Sequence, residues 1–238
     1  ARPAGEFFGG RFATMSGLRR QKNKEPPFPL VDAMHDCGML RTLRTRRDLG
    51  RAIAGIVLRY PPRDLRLMKS NFSAKVQTYP EEYRRRLEEA VAAHLDGTYQ
   101  EIRLMQQQDD FAPMAGPVRR EADAYWQMVA EQCAAGTGEE RGLRFLKFLL
   151  AGFCMFVRET PGHPAGMPFP GGDRVEVIDG TYYCPVRSRS NDVDEALCPF
   201  CPALQTPEIG YLRPPVNASE HRKQEYIDHI HKGHHFNG

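Results

Sequence analysis

"LRFLKFLLAGFCMFV" (143–157) decides the architecture of this chain: among fifteen residues only Arg144 and Lys147 are charged. Apolar side chains fall on nearly every face of the helix this stretch predicts over about 139–158. A helix greasy all round belongs at the centre of a bundle. The ten-residue run "FLLAGFCMFV" (148–157) is too short to span a bilayer, so a membrane role is not expected.

Working outward from this helix, the pattern from Leu30 to about Thr160 is helical. In "DLGRAIAGIVLRY" (48–60), Leu49, Ile53, Ile56, Val57 and Tyr60 recur at three- and four-residue steps. Pro61 and Pro62 are expected to end that helix. Pro80, followed by Glu81 and Glu82, opens the next one, with Tyr83, Leu87, Val91 and Leu95 on its apolar face and Gly97 as its expected terminator. Another helix is predicted over about 117–134, carrying Ala122, Tyr125, Trp126, Val129 and Cys133 on one side. Glu and Arg in "EEYRRRLEEA" (81–90) stand at salt-bridge spacing on a solvated face.

The composition changes abruptly after Thr160. "PGHPAGMPFPGG" (161–172) holds four prolines and four glycines and cannot be helical. "DRVEVID" (173–179) and "TYYCPV" (181–186) then alternate as short strands around Asp179–Gly180, a hairpin-turn dipeptide. The fold class expected is therefore mainly α: a helical bundle with a small, loop-rich C-terminal β-hairpin module. The division is a basic N-terminal arm (1–29), the bundle (30–160), the module (161–204) and a His-rich tail (205–238).

Six cysteines in 238 residues do not make a disulfide framework, and three of them cluster as Cys184, Cys198 and Cys201. Their spacing is C-x13-C-x2-C. A CxxC turn lets two thiolates reach one metal, and the hairpin presents a third. The proline after each cysteine removes the nearest N–H donor but leaves those two and three residues further on. Metal ligation, reduced structural cysteines and a dithiol–disulfide pair all suit the cluster; no βαβ pattern precedes the CxxC to make it thioredoxin-like. Zinc is the default ion, and an iron–sulfur cluster is the alternative.

For the fourth ligand the best candidate is His163, in the loop that leads into the hairpin. A loop histidine bonded to the backbone is the competing reading. Cys154, on the apolar helix, is expected to pack as a small hydrophobe, and Cys37 and Cys133 are read as structural. Asp192 and Asp194 suit structural zinc poorly. A finger built from Cys198, Cys201, His229 and His231 has the wrong spacing.

"GHPAGMPFPGGDRVEVIDGTYYCPVRSRSNDVDEALCPFCPA" (162–203) resembles the signature end of an uncharacterised archaeal family typical of methanogens, domain of unknown function (DUF) 2115. Its marks here are His163–Pro164, Phe169–Pro170–Gly171–Gly172, Tyr182–Tyr183–Cys184–Pro185, and Cys198 with Cys201. The resemblance implies a helical body ahead of this segment, an archaeal cytosolic setting and a cysteine site. It implies no reaction.

Thirty-three Lys and Arg against thirty Asp and Glu leave a net charge of +3, which does not favour a dedicated nucleic-acid-binding protein. "LRTLRTRRDLGR" (40–51) sets Arg41, Arg44, Arg47 and Arg51 within reach of one predicted helix face, either a phosphate-binding patch or a solvated or partner-docking surface. "RRQKNK" (19–24) is open to the same readings. The stretch "ARPAGEFFGGRFATM" (1–15) lacks the pattern of a secretion signal, so a cytoplasmic location is expected.

Two functions are carried forward. One is a metal-binding accessory protein that docks on a partner protein, such as a larger metalloenzyme assembly. The other is an enzyme or redox carrier with an open metal position near His163, with His163 or Tyr183 moving protons. Nucleic-acid binding is a third reading.

Overall fold

The computed structural model describes residues 32–135, 138–169, 173–187 and 197–207. The arm with "RRQKNK", Asp192, Asp194, Gly171, Gly172 and the tail histidines lie outside them. Six helices, α1 (Ala33–Thr42), α2 (Arg46–Val57), α3 (Pro62–Lys75), α4 (Glu81–Gln108), α5 (Glu121–Ala134) and α6 (Gly138–Gly152), precede three short strands, β1 (Glu176–Ile178), β2 (Thr181–Cys184) and β3 (Leu204–Gln205). No helix among the described residues is long and apolar enough to cross a membrane.

Local chemistry sets the helix starts. Asp32 accepts from the His35 amide at 3.0 Å at the head of α1. Thr45 caps α2, accepting from the Asp48 amide at 3.1 Å and donating its hydroxyl to that carboxylate at 2.6 Å. Pro61 and Pro62 differ from expectation: α2 already ends at Val57, and the pair opens α3 with Pro62 in its first turn. The reason is that a proline at the first helical position lacks only an N–H that has no intrahelical partner there.

Gly97 does not terminate α4 either. The helix runs on to Gln108 because Thr98, Tyr99, Ile102 and Met105 continue its buried face. That packing outweighs the roughly 1 kcal/mol that a helical glycine costs. The true stop is Asp109, in the left-handed conformation (φ 51°), with its carboxylate gripped by both Nε and Nη2 of Arg51. Likewise α5 begins at Glu121, not 117, because the preceding segment is tied to the α1–α2 turn. Arg46 N donates to Gly116 O and Val118 N to Arg44 O, both at 2.9 Å.

As expected, α6 is the centre: Phe145, Leu146, Phe148 and Leu149 are wholly buried. Beyond Gly152 the helix widens into a π turn, Phe153–Val157, closed by Arg158 N donating to Phe153 O at 3.0 Å. Close approach explains Gly152. A Cβ there would stand 2.6 Å from Cη2 of Trp126, so α5 rests on α6 only across a bare backbone.

The arginines of 41–51 do not share one helix face. Arg41 lies in the last turn of α1, Arg44 lies between helices, and Arg47 and Arg51 ride on α2. They tie elements together: Arg41 pairs with Asp123 at 2.9 Å, and Arg47 donates to Ala112 O at 3.4 Å.

The expected hairpin forms about Asp179 and Gly180, both at positive φ (49° and 76°), the geometry of a type I′ turn. Its register pairs Val177 with Tyr182 and Ile178 with Thr181. The parallel third strand, β3, was not expected from sequence; it sets Leu204 beside Tyr183 and Gln205 beside Cys184. Met167, Phe169, Val175, Cys184, Cys201 and Ala203 join the same buried cluster as the helices. The sheet is therefore packed on the bundle core.

Candidate thiol site and the histidine pair beside it

Short local elements set each of the three cysteines. Cys184 closes β2. Cys198 opens a 3-10 turn, Cys198–Phe200, with Pro199 in its first position. Cys201 N donates back to Cys198 O at 3.1 Å, which closes the CxxC loop. Pairing of β3 beside β2, with Thr206 N donating to Cys184 O at 3.1 Å, then carries Cys201 back towards Cys184.

All three thiols are buried. Burial pushes Cys184 up to about 11, and the charges of Cys198 and Cys201 push the same way, so both lie within electrostatic reach of it. The Val186 amide donates to the Cys184 sulfur and opposes that rise. It is the donor two residues on that Pro185 leaves available.

In donor chemistry the cluster suits a soft or borderline ion: three thiols on tight turns, one already accepting a backbone N–H. Yet among the described residues no group of three or more His, Cys, Asp or Glu side chains is arranged to hold a metal ion.

His163 has polar neighbours of its own. The charges that reach it come from His94, on α4, and Lys147, on α6, and burial lowers it to about 4. Its ring stands edge-on to Phe169, with centroids 6.2 Å apart. His94 is lowered too, chiefly by burial, although its ring N–H donates to the carbonyl of Gly162.

Cys154 is buried as expected, but in polar company. Its Sγ lies 3.6 Å from Thr98 Oγ1 and 4.0 Å from His94 Nε2, while its carbonyl accepts from Thr160 N at 2.9 Å. Burial raises its thiol to about 11. Cys37 and Cys133 are buried on α1 and α5, and burial raises both.

Two residues here escaped the sequence reading. His94 sits in an ordinary amphipathic helix, sixty-nine positions before His163, and nothing local marks it. Arg119 sits in a linker. Its Nη2 donates to Phe200 O, inside the CxxC turn, at 2.7 Å and to Met155 O at 3.4 Å.

Fold and site together define a helical protein whose small cysteine-bearing sheet is packed on the bundle core. The chain belongs to the family described as an uncharacterized protein conserved in archaea, DUF2115, whose model matches residues 45–206. Its relatives are UPF0305 proteins of methanogens. It is 34% identical to that of Methanopyrus kandleri over 87 residues, which cover 37% of this chain and 61% of the relative. A Methanothermobacter thermautotrophicus protein is 52% identical over 52 residues, 22% of this chain and 34% of the relative. The Methanocaldococcus jannaschii protein is 23% identical over 155 residues, 61% of this chain and 87% of the relative. In the first two matches the chain spans less than two thirds of the relative's length. No solved structure matches the chain.

Proposed function

We propose that this is a metal-binding accessory protein in which Cys184, Cys198 and Cys201 hold a zinc ion that staples the small sheet to the bundle. The observation that supports the reading is that all three thiols are buried, with Cys198 and Cys201 within electrostatic reach of Cys184 and the Val186 amide turned onto it. Their burial supports a structural role over a catalytic one, because an ion held there is walled off from any sizeable substrate. His163 is carried forward as the candidate fourth donor, with His94 and Lys147 as the charges that reach it.

Metal analysis and an absorption spectrum of the purified protein, with Cys198→Ser alongside, test the proposal. One zinc per chain, lost together with stability in the variant, is the expected result. Visible charge-transfer bands would replace zinc by an iron–sulfur cluster on the same thiols. A metal-free protein whose melting temperature ignores Cys198→Ser overturns the reading.

A further inference from the structure

Arg119 reaches into the CxxC turn from outside the sheet. It precedes α5 and extends sideways to the end of α6, where its guanidinium carbon stands 5.0 Å above the ring of Phe156. From there Nη2 donates to two carbonyls that belong to different elements. One is Phe200 O, between Cys198 and Cys201; the other is Met155 O, within the π turn. The Phe200 ring meets Tyr125 edge-on, with centroids 5.3 Å apart, so the turn is held from a second direction by α5.

A 3-10 turn of three residues has little cohesion of its own. Two-residue β3, the Phe200–Tyr125 contact and the bond from Arg187 Nε to Ala203 O at 3.2 Å also bear on where Cys198 and Cys201 lie against Cys184, but none of them holds a carbonyl inside the turn itself. The π turn serves this arrangement, because the widened backbone of Phe153–Val157 carries both the Met155 carbonyl and the Phe156 ring that receive the guanidinium.

We infer that Arg119 is the positioning residue of the thiol site: its guanidinium locks the CxxC turn onto the π turn of α6 and so fixes Cys198 and Cys201 relative to Cys184. The metal readout of this inference rests on the zinc reading above; the thiol readout does not. Residues that orient metal ligands in this way typically change affinity by about 10- to 100-fold when removed.

Arg46 is the control. It holds the same π turn, donating from Nε to Val157 O at 3.0 Å and pairing with Glu159 at 2.6 Å, and its bonds among the described residues do not include the CxxC turn. In chelator competition on the full chain, Arg119→Ala is expected to weaken zinc binding about 10- to 100-fold, and Arg46→Ala to leave it within about twofold while lowering the melting temperature. Arg119→Lys keeps the charge and one donor on a thinner stem, and is expected to fall between wild type and Arg119→Ala; it stands in should the alanine variant not fold.

The second measurement is the iodoacetamide labelling rate of Cys198 and Cys201 in metal-free protein, read by mass spectrometry. Faster labelling in the Arg119 variants, and not in Arg46→Ala, supports the inference even if wild type proves to hold no zinc, an outcome that sinks only the metal reading. Equal zinc affinity and equal labelling in wild type and the Arg119 variants overturn it. So do equal effects from the Arg119 and Arg46 variants, which would make the arginine a general brace of the π turn.

Discussion

Sγ of Cys154, in the π turn, lies 4.0 Å from Nε2 of His94, and the other charge that reaches His94's neighbour His163 is the ammonium of Lys147. Burial thus keeps two imidazoles uncharged, one on α4 and one in the Pro/Gly loop, with a thiol and a lysine around them. Protonating either ring puts a half-buried cation beside the other.

The acid limb of stability follows. His163 is lowered from 6.5 to about 4, so between these values the unfolded chain binds a proton that the folded chain refuses. Stability is fully present above about pH 6.5 and is lost as pH falls towards 4, by about 1.4 kcal/mol per pH unit and about 3 kcal/mol at most. His94 is shifted in the same direction and steepens the loss. Urea titrations from pH 7.5 to 4.5 check this: His163→Gln should flatten the slope, and a variant as acid-sensitive as wild type would show that other groups set it.

Gly97→Ala should stabilise the protein by about 1 kcal/mol. Gly97 is exposed in the middle of α4, and nothing lies within 4 Å of where its Cβ would be. The replacement adds helix propensity without a clash. A higher urea midpoint at unchanged slope is the expected observation; a lower midpoint would mean that the glycine serves a contact made elsewhere.

Gly97 also shows what the sequence could and could not disclose. Periodicity marked α2, α4, α5 and α6 and their buried faces, and Asp179–Gly180 placed the hairpin turn, because these signals are local. Where α4 stops was not legible: burial of Tyr99, Ile102 and Met105 against distant helices decides it. The same holds at the site. Cys184, Cys198 and Cys201 could be grouped by spacing alone, whereas the meeting of His163 with His94 and of Arg119 with Phe200 depends on packing between elements far apart in the chain. β3 is two residues long, too short to carry an alternation.

Gly152→Ala is expected to be among the most damaging small substitutions. The added methyl would stand 2.6 Å and 2.9 Å from Trp126 ring atoms and 3.1 Å from Cε1 of Tyr125, none of which is a flexible chain end. Overpacking of this kind costs about 1–3 kcal/mol. Trp126 is the chain's only tryptophan, so its fluorescence reports directly: a shifted emission maximum with a lower melting temperature is the expected pair, and an unchanged spectrum would show that α5 moves aside freely.

Cys184 gives the sharpest test of how the thiol cluster is built. Its thiol is held at about 11 by burial and by two neighbouring thiols, against a donated N–H from Val186 and the charge of Arg187. Thiolate, not thiol, reacts with alkylating agents, so Cys184 in metal-free protein should label slowly at pH 8 and faster with each unit up to about pH 11. Replacing Cys198 and Cys201 together by serine removes the like charges but not the burial. Because burial is the larger cause, the midpoint of Cys184 labelling should fall only modestly and stay above the value of 9.0 for a free thiol. A midpoint that drops all the way to 9 would mean that sulfur–sulfur repulsion dominates, placing the three thiols closer together than a buried but uncharged cluster requires.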